Sequence, residues 1–285
     1  MQNKKELFMK DYVIFTDSAC DIKPEVLKEW GVYYQPLNLR FNGEEKEYVD
    51  GTIEIKEFYD RMRAGGVAKT AAVNTEDFSM AFEEFLKEGK DILYLGFSSG
   101  LSTTFNSARL AAAALSEAYP KNKIIVIDTL AASAGEGLIV YLAKEKKNEG
   151  KKIEAVAAYV EEIKMNVAHW FTVDDLVYLK RGGRVSPLTA MVGNLVGIKP
   201  VLHVDNEGHL IKKTTARGRK ASILELAKKY GETALDTKGG TVFISNADCM
   251  ADVEFLSRQL EEKYGVKVAH VTDVGAVIGS HSPNP

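Results

Sequence analysis

The chain has 285 residues, 45% of them hydrophobic and 27% charged, with a formal net charge of −3. So near-neutral a balance gives no basis for a nucleic-acid or other polyanionic partner, and no apolar run reaches the roughly 18 residues that stable membrane insertion needs. The opening "MQNKKELFMK" lacks the apolar core of a secretory leader, and Cys20 and Cys249 match no paired-ligand or C-x-x-C spacing, so the expectation is a cytoplasmic protein with two free thiols.

In chain order, strand and helix signals alternate. "YVIFTDS" (12–18) is a β-branched and aromatic run ending in polar residues, and "KPEVLKEWG" opens on Pro24 and stops at Gly31, as a short helix should. "VYYQPLNLRF" reads as one strand and "TIEIKEFYDRMRAGG" as a helix closed by Gly65 and Gly66. "TEDFSMAFEEFLKEG" spaces Phe78, Phe82 and Phe85 along one helical face. The strand "DILYLGFS", the helix "STTFNSARLAAAALSEAYP", the strand "KIIVIDT" and two helices within 133–167 follow.

Apolar strands separated by helices predict a parallel sheet covered on both faces. Beyond about residue 165 the pattern changes. "PVLHVDNEGHLIKKTTA" predicts a β-hairpin turning at Asp205–Gly208, followed by a helix (221–235), the strand "GTVFISNA", a helix (251–264) and a last strand "VKVAHVTDVGAVIG". The expected architecture is two α/β domains, 11–165 and 166–285, sharing a cleft.

"YLGFSSGLSTTF" (94–105) contains Gly96-Phe97-Ser98-Ser99-Gly100, a G-x-S-x-G sequence between a strand and a helix. One reading is a nucleophile elbow with Ser98 as nucleophile, Asp128 and His281 following in the order such hydrolases use. No H-G-G-G oxyanion segment accompanies it. The other reading counts hydroxyls: Ser98, Ser99, Ser102, Thr103 and Thr104 crowd one turn, where an elbow needs a single serine. Such a turn lies at the carboxyl end of a parallel strand, where ligands bind. With Ser102 as N-cap, the free N–H groups of the next helix and the hydroxyls together suit an anion. "FTDS", "KTAAVN" (69–74) and "IDT" (127–129) end apolar runs in the same way. Without a P-loop or an adjacent lysine, a lone carboxylate on an apolar ligand fits better than a phosphate.

Eight blocks in order, "YVIFTDSACDI", "YVDGTI", "KTAAVNTEDF", "FSSGLSTTFNSA", "VIDTLAASAGEG", "LVYLKRGGRV", "GIKPVLHVDNEGHL" and "VGAVIGSHS", resemble the DegV family of bacterial fatty-acid-binding proteins, some of which are the lipid-carrying subunit of fatty acid kinase. The resemblance spans nearly the whole chain. It implies a long-chain fatty acid such as palmitate in a tunnel between the domains, no cofactor, and no catalysis by this chain. It also implies a carboxylate held by Thr70 and Ser102, with Ser99 next in line, and a separate kinase as partner. Two departures stand out. The family's Thr-Ser-x-Pro is here Thr70-Ala71-Ala72-Val73, and its final histidine block continues G-P-G into a last strand where this chain reads His281-Ser282-Pro283-Asn284-Pro285.

Two basic loops remain. "LKRGGRV" (179–185) places Lys180, Arg181 and Arg184 around Gly182-Gly183, and "TTARGRK" (214–220) carries Arg217. Each reads either as structural, a helix-ending turn and a solvated face respectively, or as a surface for phosphate or an acidic partner. Arg184, Arg217 and His281 are the expected exit-side residues. His169, His203, His209 and His270 fall in strand or helix patterns and read as structural.

Overall fold

The computed structural model describes residues 10–174, 176–186 and 197–282. A four-stranded, wholly parallel sheet forms the centre of the first half. Its strands are β1 (Tyr12–Asp17), β2 (Val32–Gln35), β6 (Asp91–Gly96) and β7 (Ile124–Asp128), in the order β2-β1-β6-β7. Side chains alternate across a strand, so β1 divides itself between two cores. Val13 and Phe15 enter the same core as Ile92 and Tyr94 of β6, whereas Tyr12 and Ile14 join Leu93 and Leu95 on the opposite face.

Helices cover both faces. α2 (Ile55–Arg63), α3 (Thr75–Lys87) and α4 (Thr104–Ala118) supply Phe58, Phe78, Phe82 and Ala108 to one core. α1 (Pro24–Trp30), α5 (Ala134–Asn148) and α6 (Ile153–Ile163) supply Leu27, Ile139 and Val156 to the other. Burial on both faces explains why these strands read as continuous apolar runs rather than alternating ones.

The single strand expected at 32–41 is two. β2 ends at Gln35, and β3 (Asn38–Phe41) belongs to a separate antiparallel sheet with β4 (Tyr48–Val49) and β5 (Ala68–Ala71). Pro36 has no N–H for the ladder, and the N–H of Leu37 donates to Ser18 Oγ at 3.0 Å, so the chain leaves the parallel sheet there.

The second half holds an antiparallel sheet of β8 (Trp170–Thr172), β9 (Ile198–Val204) and β10 (Leu210–Arg217), the last two forming the expected hairpin. α7 (Val177–Arg181) precedes the hairpin, α8 (Arg219–Thr233) packs on β8, β9 and β10 and against α9 (Met250–Tyr264), and α9 lies beside the parallel pair β11 (Val242–Asn246) and β12 (Val268–Asp273). The last strand is shorter than its sequence suggests. After Asp273 the N–H of Val274 donates to Asn246 O and that of Gly275 to Asp21 Oδ1, and α10 (Ala276–Gly279) follows. Ala276 and Val277 pack into the core shared by α2, α3 and α4, and Tyr59 donates its hydroxyl to Val274 O at 2.9 Å. The chain thus returns from the second half to finish the first.

Candidate functional site

The loops after β1, β6 and β7 meet at the carboxyl ends of the parallel strands and brace one another. Asp17, fully buried at the end of β1, accepts from Tyr94 Oη (2.7 Å), the N–H of Phe97 (3.0 Å) and that of Ala19 (3.1 Å). Burial pushes its carboxyl up to about 6, these hydrogen bonds opposing the shift. Thr129 Oγ1 donates to Gly96 O at 2.7 Å, and Asp128 Oδ1 accepts from the N–H groups of Ser99 (3.2 Å) and Leu130 (3.1 Å).

Ser98 is buried, and its hydroxyl donates to Gly208 O in the β9–β10 turn at 2.8 Å while accepting from the N–H of Gly100 at 3.2 Å. A nucleophilic serine would give its proton to a general base. Here the proton is spent on a backbone carbonyl, Asp128 holds main-chain N–H groups rather than a histidine, and His281 pairs elsewhere. The G-x-S-x-G turn is therefore a tie between the two halves. Gly208 is required for it: φ is +78°, and a Cβ there would lie 2.1 Å from Ser98 Oγ.

The hydroxyls expected to face a ligand line a cavity of about 1010 Å³, at the upper end of the range for small-molecule sites. Thr70, on β5, and His281, beyond α10, are brought together across 211 residues, with Thr70 Oγ1 and His281 Nε2 2.9 Å apart. Both line the cavity, as do Ser99, Ser102 and Arg184. Ser102 is not the N-cap. α4 begins at Thr104 with Thr103 in the cap position, and Ser102 Oγ instead accepts from the Thr104 N–H (3.2 Å) and pairs with Thr104 Oγ1 (2.9 Å). The helix starts one residue later than a Ser102 cap would have it, and Ser102 lines the cavity.

Arg184 fastens the "KRGGR" loop to the same turn. Its Nε donates to Leu101 O at 3.1 Å and its Nη1 to Gly182 O. Gly182 lies against His281, and a Cβ at position 182 would stand 2.1 Å from Nδ1 of that ring. His281 is pushed down to about 4, first by burial and then by the Arg184 charge, so its imidazole is neutral at physiological pH. Burial also lowers the Arg184 guanidinium.

Arg217 is not brought to this place. It is exposed at the end of β10, paired with Ile198, and is not among the cavity-lining residues. Arg219, two residues on, does line the cavity, and it pairs with Asp252 Oδ2 at 2.7 Å. His169, read from its strand pattern as structural, also lines the cavity, with its Nε2 buried and unpartnered and its ring pushed down to about 4 by burial.

Away from these polar groups the wall is apolar. Leu138 and Leu142 of α5, Ile223 and Leu226 of α8, and Leu256 and Leu260 of α9 face it, and β11 runs along it from Val242 to Asn246. Among the described residues, no helix is long and apolar enough to cross a membrane.

A two-part α/β protein with an apolar cavity between its parts, lined at one end by hydroxyls, has the form of a site for a small amphipathic molecule. The chain belongs to the DegV family, whose model (Uncharacterised protein, DegV family) matches residues 11–283. It is 42% identical over 277 residues to the DegV domain-containing protein CPE0026 of Clostridium perfringens, covering 96% of this chain and 94% of the relative. Among solved structures it is similar to a fatty-acid-binding DegV family protein from Thermus thermophilus, with TM-score 0.82, 32% identity, and 96% of each chain covered. It is also similar to a stearic-acid-binding protein from Eubacterium ventriosum, with TM-score 0.85, 28% identity, and 95% of this chain and 94% of that one covered.

Proposed function

We propose that this protein binds one long-chain fatty acid, with the acyl chain in the apolar cavity and the carboxylate among Thr70, Ser99, Ser102 and His281, and offers that carboxylate to a separate kinase. The observation that carries the reading is the union of one large apolar cavity with a hydroxyl cluster at one end. Each buried methylene contributes about 0.8 kcal/mol, so roughly 14 of them supply about 11 kcal/mol before the costs of association. The head-group hydrogen bonds then fix register and keep a buried carboxylate from going unpartnered.

Hydroxyls and a neutral imidazole can hold a carboxylate but have no means of activating it, so phosphorylation is assigned to the partner. Arg184, beside His281, supplies a fixed cation where an acyl phosphate would form. Two measurements test this. Mass spectrometry of an organic extract from purified protein is expected to find a long-chain fatty acid near one equivalent, and Ser102→Ala is expected to weaken palmitate binding by about 1–3 kcal/mol. Protein that carries no lipid and does not take up added palmitate overturns the reading.

A further inference from the structure

Ser133, unlike Ser98, gives its proton to a carboxylate: its Oγ donates to Oδ2 of the buried Asp21. Ser245 Oγ stands 2.8 Å from the same hydroxyl. The other oxygen of Asp21 accepts from the N–H of Gly275 at 2.9 Å, so the carboxylate is held toward Ser133 as a general base is held by a third group. Burial raises the Asp21 carboxyl well above the usual range, the Ser133 and Gly275 hydrogen bonds opposing the shift and the Asp50 charge adding to it. Once ionised, such a carboxylate is a stronger base than an exposed one.

The backbone at Ser133 has the form of a nucleophile elbow. Ser133 joins the loop after β7 to α5 with φ +52° and ψ −139°, a conformation that a residue with a side chain keeps only where its surroundings enforce it. Here its N–H donates to Ala19 O at 2.7 Å while its hydroxyl is drawn to Asp21. Ala131-Ala132-Ser133-Ala134-Gly135 repeats the spacing of the turn around Ser98, with alanine in the first position. Gly135 has no room for a side chain, since a Cβ there would stand 1.9 Å from His169 Cδ2. Such a turn presents the serine hydroxyl at the end of a strand and sets the next N–H beside it. Ala134 is the first residue of α5, so that N–H has no acceptor within the helix. Ala132, Ser133, Ala134 and Gly135 all line the apolar cavity, as does Ser245.

We propose that Ser133 is a nucleophile with Asp21 as its base, and that the protein hydrolyses long-chain acyl esters or thioesters and keeps the freed fatty acid in its cavity. The inference rests on the fatty-acid reading above for the place of the acyl chain. Ser133 Oγ bonds to the acyl carbonyl carbon and its proton passes to Asp21, while the carbonyl oxygen takes up negative charge beside the Ala134 N–H. As the carbonyl re-forms, the bond to the alcohol or thiol oxygen or sulfur breaks, and that atom takes the proton from Asp21. Water then attacks the acyl-serine and gives a proton to Asp21, which returns it to Ser133 Oγ as the fatty acid leaves. Asp50 and Asp273 add negative charge around Asp21, which disfavours an anionic leaving group such as phosphate and favours uncharged esters.

The test treats the full chain with hexadecyl fluorophosphonate, whose phosphorus bonds to a nucleophilic serine and expels fluoride, and maps the adduct by peptide mass spectrometry. Labelling is expected at Ser133 and not at Ser98, and because the site is read on the wild type it does not depend on how a variant folds. Turnover is followed in two arms, p-nitrophenyl palmitate as ester and S-palmitoyl-N-acetylcysteamine as thioester, and the arm that reacts names the leaving group. It is expected to vanish in Ser133→Gly, where glycine adopts the positive φ freely. In Asp21→Asn, which keeps an acceptor for the Gly275 N–H but no base, it should fall about 100-fold. Palmitate binding by the wild type is measured alongside. Protein that binds palmitate but carries no adduct at Ser133, turns over neither substrate, or keeps its turnover in Ser133→Gly overturns the nucleophile alone. Failure to bind palmitate overturns the fatty-acid reading, and the long-chain substrate with it.

Discussion

Gly182→Ala isolates the contact between the "KRGGR" loop and His281. Position 182 has φ −74° and ψ −11°, which alanine adopts freely, so any effect comes from the added methyl and not from the backbone. The new Cβ would stand 2.1 Å from His281 Nδ1 and 2.8 Å from Cε1. An ordinary contact distance requires the ring to retreat by about 1.4 Å, and the 2.9 Å contact with Thr70 Oγ1 does not survive that. Overpacking contributes about 1–3 kcal/mol and the lost hydrogen bond about 1 kcal/mol more. Urea unfolding is therefore expected to show a loss of about 2–4 kcal/mol, and palmitate affinity to fall at least tenfold. Gly183→Ala is the control. Gly183 has φ +73° and nothing within 4 Å of an added Cβ, so it should lose about 1–2 kcal/mol of stability through left-handed strain alone and keep its affinity. If Gly182→Ala changes neither stability nor affinity, the loop does not position His281 and the reasoning is wrong.

Ser98→Ala removes the tie to Gly208 O and should cost about 1–3 kcal/mol in urea unfolding, with no change in turnover of a chromogenic acyl ester; an ester hydrolysis that disappears in this variant would restore the nucleophile. Glu136 is fully buried, with Oε2 unpartnered and Oε1 3.1 Å from Thr16 Oγ1, a hydroxyl that also donates to Leu95 O. Burial, and then the charge of Asp17, holds its carboxyl well above the usual range. A raised folded-state value means stability fully present below the unfolded value of about 4.5 and lost as pH rises from there through the folded-state value. Glu136→Gln should thus gain on the wild type as pH rises and be the more stable of the two at pH 7. Unfolding midpoints from pH 4 to 8 check this, and a pH-independent difference would refute it.

Much of the fold is written in local pattern. The two-faced burial of β1 and β6 dictates apolar runs, and Phe78, Phe82 and Phe85 mark a helical face that does enter the core. Where the chain departs from its pattern, a partner distant in sequence decides: Ser18 captures the Leu37 N–H, and Asp21 captures that of Gly275. The hydroxyl turn was visible in the crowding around 98–104, but the pairing of Thr70 with His281 was not, since 211 residues and three changes of sheet separate them; the family resemblance brought those residues forward. Arg219, which lines the cavity where Arg217 does not, was not singled out although a signal existed. Residues 219, 223, 226 and 230 are spaced as one helical face, whereas Arg217 ends a strand and Gly218, at φ +86°, turns the chain between them.

The return of residues 274–282 to the first half has a consequence for the order of events during synthesis. Ala276 and Val277 complete a core whose other members lie between Val13 and Leu115, and Thr272 donates to Asp21 O across 251 residues. Until those late residues leave the ribosome, the early half carries an apolar gap at α2 and β3, and Thr70 waits without its imidazole. Contacts of such sequence separation form last and slowly. On the fatty-acid reading, a nascent chain therefore has no finished head-group end with which to trap a lipid, and competence for ligand comes in one step with the completion of the fold.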